Sequence, residues 1–312
     1  MKDQEISDSD IWRRLGNQAE MIRRPENHLK HLLQQEDRFN KFSRIGGGIF
    51  YDFSRQRVDQ KIMTLLAELA ELRQVKEQFL SMNQGEKINT TEKRAALHTA
   101  CRRFSDEPII VDGQDVMPEI KRVRREIKDF SEEVHSGKLT GSTGKPFQYV
   151  VVVGIGGSYL GTQFVSESLA AYADKGVQLH YLANVDIHNF GRVVDRIDPE
   201  STLWIIISKS YTTSETLANA ELAYSYMKQK GLDPSRHVVT VTSKGSPGDD
   251  PSNPVIRTFH MFDYIGGRYS VSSAVGGVPL SLCFGYERFE AFLKGAERSE
   301  EHTSELQSLL II

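Results

Sequence analysis

Cysteine is scarce in this sequence of 312 residues, which contains only Cys101 and Cys283. The two lie far apart and show no metal-ligand spacing, so we expect buried free thiols in a reducing cytoplasm. No apolar run is long enough to span a bilayer, and the polar N-terminus lacks the apolar core of a signal peptide. The formal charge is only −3, which gives no electrostatic reason to expect nucleic acid or an anionic membrane as a partner. We therefore expect a soluble, cytoplasmic protein.

Four consecutive valines dominate the segment Tyr149–Val153. Because no polar residue alternates with them, we predict a strand buried on both faces, as in a parallel sheet. Gly154, Gly156 and Gly157 follow at once and allow a sharp turn and close approach to a ligand. A helical pattern begins after Ser158. A strand, a glycine loop and a helix N-terminus together predict an anion site.

The hydrophobic periodicity changes near residue 148. Residues 1–147 have mainly helical spacing, with a break at Pro25, a short extended run at 49–53 and a capped helix start predicted at Asn89 and Glu92. A linker rich in Gly, Thr and Ser over 137–146 leads into alternating strands and helices over 148–297. We predict an α/β protein in which a mainly helical region precedes a doubly wound parallel sheet. The predicted strands are 149–153, 179–182, 203–207, 237–242 and 258–262.

The segment 208–216, of sequence SKSYTTSET, follows the third predicted strand. Six of its nine residues are Ser or Thr and one is Lys. Hydroxyls, backbone amides and an ammonium at a helix N-terminus suit a phosphate monoester. The alternative is local capping, with Thr212 and Glu215 as a capping box or Thr213 as the N-cap. We favour binding, because one cap accounts for one or two hydroxyls and not for six.

Sheet topology predicts that the two loops meet. In a doubly wound sheet of strand order 2-1-3-4-5, strands one and three are neighbours at the switch point, where ligands bind at the carboxyl ends. Loop one supplies Gly157 and Ser158, and loop three supplies residues 208–216. We therefore expect both loops to face one crevice, with Ser158 and Thr213 on the same side of the molecule.

Two rival interpretations concern individual residues. A dinucleotide fingerprint starting at Gly154 needs glycine at position 159, where Tyr159 stands, although Asp186 could hold a ribose. Asp186 could equally cap the helix that contains Phe190. Farther on, two glycines precede Arg268, whose guanidinium could stabilise an enediolate. On the residues alone, an Arg268 paired with a structural carboxylate is slightly favoured.

Several stretches resemble the glucose-6-phosphate isomerase family, also called phosphoglucose isomerase. They occur in family order and, with TGKPF at 143–147, cover most of residues 45–290: GEKINTTEKRAALHTA (85–100), GIGGSYLG (154–161), SKSYTTSET (208–216) and GGRYSVSSAVG (266–276). The resemblance implies two flavodoxin-like sugar-isomerase domains, the first at 148–297, in a homodimer. It also implies interconversion of glucose 6-phosphate and fructose 6-phosphate, in glycolysis and gluconeogenesis, through a cis-enediol and without a metal or organic cofactor.

The resemblance implies roles for particular residues. Arg268 would steady the enediolate as a catalytic residue. The substrate phosphate would be bound by loops one and three, and we extend this site to Tyr211 and Thr212; its predicted residues are Gly157, Ser158, Ser208, Lys209, Ser210, Tyr211, Thr212, Thr213 and Thr216. The sequence departs from the common family pattern at Tyr159, Thr162 and Ser210, but Ser210 keeps its hydroxyl, so no predicted phosphate donor is lost.

The resemblance also implies parts that these 312 residues do not contain. The family's glutamate base lies near a GTNGQH-like run, and no such run occurs here. We expect that base, the histidine and lysine that help to open the sugar ring, and the second sugar-isomerase domain to lie beyond this chain. The chain is then a truncated fragment without turnover. A non-catalytic sugar-phosphate-binding regulatory module is the alternative, but Arg268 and the helical first half argue against it.

The resemblance fades near Ala296. One choice of codons for residues 298–308, of sequence RSEEHTSELQS, spells a widely used sequencing adapter. We therefore expect residues 298–312 to be an artefact outside the fold. The alternative is a natural divergent tail, and long-read resequencing of the locus would distinguish the two.

Overall fold

The computed structural model describes residues 5–46 and 48–305, with residues 301–305 as helix backbone only. The chain divides into two compact units, residues 1–82 with 297–312, and residues 83–296. No helix in the described ranges is long and apolar enough to cross a membrane.

The first unit is mostly helical, as predicted for this part of the chain. Its elements are α1 (Asp10–Ile22), α2 (Leu29–Leu32), α3 (Arg38–Lys41), the antiparallel hairpin β1 (Ser43–Gly46) and β2 (Ile49–Asp52), α4 (Gln60–Leu72) and the start of α5 (Val75–Asn83). The break before Pro25 and the extended run after residue 49 are confirmed. Asp59 begins α4 by accepting a hydrogen bond from the Ile62 amide at 2.8 Å, which satisfies one of the free helix-end donors.

The second unit contains the predicted sheet. Its elements are β3 (Ile110–Val111), β4 (Gln114–Asp115), α6 (Met117–His135), β5 (Tyr149–Val153), α7 (Leu160–Ser168), β6 (Gln178–Leu182), α8 (Ile187–Val194), β7 (Thr202–Ile207), α9 (Ser214–Gln229), β8 (Val238–Ser243), β9 (Arg257–Met261), α10 (Ala274–Phe284) and α11 (Tyr286–Glu305), which continues past residue 296. All five predicted strands are present, with ends that differ by about one residue.

The large sheet is parallel and has the order β6-β5-β7-β8-β9. This is the predicted order 2-1-3-4-5, and it places β5 beside β7 at the switch point. Apolar side chains cover both faces, one against α6, α7 and α10 and the other against α8 and α9. The four valines of β5 are at most 1% exposed, which explains why they do not alternate with polar residues. The predicted α/β fold class is confirmed.

The boundary between the compact units differs from the predicted division at residue 147. Helix α6 lies before that position, yet its buried stripe packs in the sheet core, where the Phe130 and Phe259 ring centroids are 5.3 Å apart. Residues 83–147 therefore belong with the sheet, because α6 covers part of its apolar face. The linker 137–146 connects two parts of one unit.

The helix predicted to begin at Asn89 is wrong. Asn89 and Glu92 do bond reciprocally: the Glu92 amide donates to Asn89 Oδ1 at 3.1 Å, and Asn89 Nδ2 donates to a Glu92 carboxylate oxygen at 2.8 Å. Lys93 then adopts a φ of 53°, and Arg94 forms a β-bridge back to Asn89. The capping pattern closes a turn here, since the chain reverses before a helix can begin.

Candidate functional site

A cavity of about 610 Å³ lies at the carboxyl ends of the central strands. Six of the nine predicted phosphate-binding residues line it: Ser158, Ser208, Lys209, Ser210, Thr213 and Thr216. The expectation that loops one and three face one crevice is therefore met, and Ser158 and Thr213 share a cavity. The parallel sheet explains this, because the ends of neighbouring parallel strands lie at the same edge.

Loop one depends on glycine at two positions. A Cβ on Gly154 would lie 2.8 Å from Ser158 Cβ and 3.1 Å from the Ile207 carbonyl oxygen, so the loop end of β5 packs against β7. A Cβ on Gly157 would lie 2.5 Å from the backbone carbon of Gly267. These approaches place Ser158 at the cavity with a hydroxyl that has no hydrogen-bond partner in the described chain.

Loop three is organised by its own hydroxyls. Ser208 Oγ accepts a hydrogen bond from the Tyr211 amide at 3.1 Å and donates to Thr213 Oγ1 at 3.4 Å. Ser210 and Thr212 share a hydroxyl hydrogen bond of 2.7 Å. The turn requires Tyr211 at a φ of 53°, a left-handed conformation that is unusual for a tyrosine. The loop is thus folded into a fixed shape at the cavity wall.

The N-terminus of α9 is left open. Thr213 is the N-cap residue by position, but its side chain makes no capping hydrogen bond. The first intrahelical bond runs from the Leu217 amide to the Thr213 carbonyl at 3.0 Å, which leaves the amides of Ser214, Glu215 and Thr216 without a backbone acceptor in the described chain. Thr216 is only 1% exposed, yet its hydroxyl also lacks a described partner and lines the cavity. Free amides at the positive end of a helix dipole favour an anion.

Lys209 brings a positive charge to the cavity. Its ammonium donates to the Asp263 carbonyl at 3.0 Å and lies 3.4 Å from an Asp263 carboxylate oxygen. The Arg94 guanidinium donates to the same carbonyl. Burial lowers the pKa of Lys209 below the ordinary lysine value, and the charge of Arg94 acts in the same direction. Lys209 is therefore held in place by Asp263, while burial destabilises its protonated form.

Three predicted phosphate-binding residues lie outside the cavity lining. Gly157 acts through its contact with Gly267, and Thr212 is an exposed partner of Ser210. The Tyr211 ring is packed so tightly against Gly248 that a Cβ there would lie 2.3 Å from it. Burial raises the pKa of Tyr211, whose hydroxyl pairs with Tyr224. The Tyr211 side chain therefore supports loop three from behind.

Arg268 is exposed and directly follows the Gly267 that touches loop one. Within the described ranges it forms no ion pair and no side-chain hydrogen bond. The alternative interpretation, in which Arg268 pairs with a structural carboxylate, is therefore not supported by the described part of the chain. Its neighbour Tyr269 stacks on His98 at 4.5 Å, and burial lowers the pKa of His98 to about 4, so that ring is neutral near pH 7. This stack holds the segment that carries Arg268.

Asp186 has the capping role. Its carboxylate accepts a hydrogen bond from the His188 amide at 2.8 Å and begins α8. It does not line the cavity. Asp186, the residue that could have held a ribose, therefore caps the helix that it precedes. Cys101 and Cys283 are buried free thiols, as predicted, and burial raises the pKa of Cys283 to about 11.

One wall of the cavity was not anticipated. It consists of Ser243 at the end of β8 and Lys244, Gly245 and Ser246 directly after it, together with Asp263 after β9. A signal was available, because β7 and β8 both lead into a Ser-Lys pair, Ser208-Lys209 and Ser243-Lys244. Their meeting depends on β8 lying next to β7 in the sheet.

The fold and the cavity define a class of protein: a doubly wound α/β domain with hydroxyls, free amides and ammonium groups at its switch point, the chemistry of an anion site. Comparison with known proteins then identifies the family. The family model for phosphoglucose isomerase matches residues 52–308, and the chain belongs to that family. The matched range includes part of the segment 298–312, whose interpretation as an adapter artefact stays a prediction.

The relatives carry consistent names. The chain is 59% identical to the glucose-6-phosphate isomerase of Desulfosudis oleivorans, over 97% of this chain and 56% of that protein. It is 40% identical to the cytosolic glucose-6-phosphate isomerase of Spinacia oleracea, over 95% of this chain and 53% of that protein. The crystal structure of a glucose-6-phosphate isomerase from Chlamydia trachomatis superimposes with a TM-score of 0.84 at 31% identity, covering 98% of this chain and 58% of that one. The chain spans about half the length of the curated relatives it matches.

Proposed function

We propose that this chain is the phosphate-binding half of an aldose–ketose isomerase that interconverts glucose 6-phosphate and fructose 6-phosphate. One observation carries the proposal: Ser158 of loop one and Ser208, Lys209, Thr213 and Thr216 of loop three line one cavity beside the open end of α9. The names of relatives at 38–59% identity favour an isomerase over a non-catalytic sugar-phosphate-binding module.

The proposed chemistry assigns distinct roles to the two parts of the site. The phosphate of the open-chain sugar is bound by hydroxyls and helix amides, which holds the substrate while C1 and C2 react. A glutamate moves a proton between C2 and C1 through a cis-enediol. Arg268, unpaired in the described chain, stabilises the developing oxyanion with its fixed positive charge. The glutamate is expected outside these 312 residues, in the parent protein.

The chain alone is therefore expected to bind sugar phosphate weakly and not to turn it over. Binding needs only groups present here, whereas proton transfer needs a base positioned at the sugar carbons. A homodimer for the full-length parent and a cytoplasmic location stay predictions. Independence from metals and organic cofactors is likewise proposed from the family resemblance.

Calorimetric titration of the purified chain with glucose 6-phosphate tests the site. We expect Ser158→Ala to weaken binding by about tenfold or slightly more, the loss of one hydrogen bond to a charged group. Ser225→Ala, on the exposed part of α9, is the matched control and should leave the Kd unchanged. Equal affinity for glucose and glucose 6-phosphate would show that the cavity does not recognise phosphate.

A coupled isomerase assay tests the absence of turnover. The chain should give no rate above the background, even at substrate concentrations that saturate the calorimetric binding. Measurable isomerase activity from purified residues 1–297 would contradict the proposal that the base lies elsewhere.

A further inference from the structure

The loop after β8 has the same chemical composition as the predicted phosphate loop after β7. Each strand leads into a Ser-Lys pair, and the second loop continues with Gly245 and Ser246. Residues 243–246, which we call the β8 loop, line the same cavity as Ser208 and Lys209. None of the family motifs in the sequence includes this loop.

The two loops are joined through the backbone of Lys209. The Lys209 carbonyl accepts hydrogen bonds from the Ser243 amide at 3.0 Å and from the Thr242 hydroxyl at 3.3 Å. Thr242 also shares a 2.7 Å hydroxyl hydrogen bond with Ser246. The β8 loop is therefore fixed against loop three. Lys244 directly follows Ser243, whose amide donates to the Lys209 carbonyl.

The shape of the β8 loop is also fixed from behind. Gly245 has a φ of 74° and donates its amide to an Asp249 carboxylate oxygen at 2.8 Å. That carboxylate also pairs with His260 at 2.8 Å. A glycine is required at this left-handed position, and the turn leaves the Lys244 side chain at the cavity wall.

The two lysines differ in whether their ammonium groups already contact an acceptor of the protein. The Lys209 ammonium donates to the Asp263 backbone carbonyl at 3.0 Å and lies 3.4 Å from one Asp263 carboxylate oxygen. Lys244 forms no ion pair or side-chain hydrogen bond with any described residue. The two carboxylates that experience its charge, Asp249 and Glu119, are paired with His260 and Arg122. Of the two cavity lysines, Lys244 is therefore the one whose ammonium has no acceptor among the described residues.

A phosphate monoester carries a charge of about −1.5 to −2 near neutral pH. The partial charge at the end of α9 and one ammonium that is shared with Asp263 compensate this charge incompletely. We propose that Lys244 is a second phosphate-binding cation, which contacts the phosphoryl group and makes the cavity selective for doubly charged esters. This inference rests on the proposed phosphate site and adds a residue that the family resemblance does not assign.

The test compares two esters of the same shape. Glucose 6-phosphate is mostly a dianion at pH 7.5, whereas glucose 6-sulfate carries a single negative charge. We expect Lys244→Gln in the full chain to weaken glucose 6-phosphate binding by about tenfold, the loss of one charge-assisted hydrogen bond. The loss for glucose 6-sulfate should be about threefold or less, because a monoanion gains less from a second cation. Lys244→Arg should keep most of the affinity for the phosphate ester.

Lys228→Gln is the matched control, since it removes the same charge from an exposed lysine near the far end of α9. It should change neither Kd by more than the weak, salt-screened effect of a distant surface charge. Equal Kd values for Lys244→Gln and Lys228→Gln would overturn the inference. An equal loss for both esters would also overturn it, because Lys244 would then act on the loop and not on the second charge. If the unmodified chain fails to bind glucose 6-phosphate, the proposed phosphate site itself fails, which is a distinguishable result.

Discussion

Helices α8 and α9 have nearly the same backbone geometry at their N-termini, but the two N-termini have different roles. Their N-cap residues have almost equal backbone angles, φ −66° and ψ 123° for Asp186 against φ −68° and ψ 110° for Thr213. Both helices pack on the same face of the sheet through one apolar cluster. Asp186 uses its carboxylate to cap its own helix, whereas Thr213 does not cap, and the first amides of α9 have no backbone acceptor in the described chain.

This contrast distinguishes a helix N-terminus with a structural cap from one that is available to bind an anion. At a capped N-terminus, a side chain of the protein already accepts a hydrogen bond from one of the free amides and occupies the place of an anion. An N-terminus without a side-chain cap keeps its free amides available as hydrogen-bond donors for an anion. The side chain at the N-cap position decides between the two, and backbone geometry alone does not.

The largest expected effect comes from the loop that faces the open end of α9. Gly157→Ala places a Cβ about 2.5 Å from the Gly267 backbone. Relieving this clash must move loop one or the Arg268 segment, at a cost of about 1–3 kcal/mol in the free energy of unfolding. Glucose 6-phosphate binding should weaken by well over tenfold, more than for Ser158→Ala, because the backbone of loop one moves together with the Ser158 hydroxyl. Urea unfolding and calorimetry measure the two quantities.

Gly191→Ala in α8 is its counterpart, since a Cβ there meets nothing within 4 Å. A helical alanine should stabilise the protein by about 0.5–1 kcal/mol and leave binding unchanged. Similar behaviour of the two glycine variants would break the contrast between the open and the capped side.

Removing the ammonium at the open end should have the next largest effect. Lys209→Met is expected to weaken glucose 6-phosphate binding by about tenfold, through loss of one charge-assisted hydrogen bond. In the unmodified chain, binding should weaken as the pH rises through the lowered pKa of Lys209, because the neutral amine attracts no phosphate. An affinity that stays constant until exposed lysines titrate would argue against a charged Lys209 at the phosphate.

The capped end should respond in stability only. Asp186→Ala removes the acceptor of the His188 amide and should lower the melting temperature by about 2–4 °C. The hydrogen bond from His188 holds the pKa of Asp186 below its usual range, so the cap contributes above about pH 4 and is lost as the pH falls through the lowered value. The difference in melting temperature from the unmodified chain should therefore disappear in acid. A change in the Kd for glucose 6-phosphate would contradict the assigned role.

The smallest effect is expected at the open N-cap itself. Thr213→Ala removes a hydroxyl that caps nothing and accepts only a long hydrogen bond of 3.4 Å from Ser208, so the free energy of unfolding should stay within about 0.5 kcal/mol. Binding of glucose 6-phosphate should weaken by about 2–5-fold, through loss of one of several hydroxyl contacts. A stability loss as large as that of Asp186→Ala would mean that Thr213 caps α9 after all.

Much of the fold was predictable because its signals are local. The buried valines of β5, the spacing of the helices and the alternation after residue 148 predict the strands without reference to distant residues. Their order then follows from the doubly wound class that this alternation indicates. Asn89 is the counterexample: a sound capping pattern closes a turn, because Arg94 bridges back to Asn89 and donates to Asp263, far along the chain. A distant hydrogen bond of ordinary strength is enough to outweigh a weak local preference.

The parallel sheet and the two hydroxyl- and glycine-rich loops could be predicted from the amino-acid sequence, since apolar runs and loop composition are properties of neighbouring residues. The meeting of the loops at the switch point followed from the doubly wound class that these strands indicate. The three-dimensional packing was needed to show that Asp186 caps and Thr213 does not, and that Gly157 touches Gly267. It also showed that the Tyr211 ring packs behind its loop and that Lys244 lines the cavity. These outcomes depend on which strand ends lie side by side. The competing local hydrogen bonds are each worth only about 1 kcal/mol, so packing between distant segments selects among them.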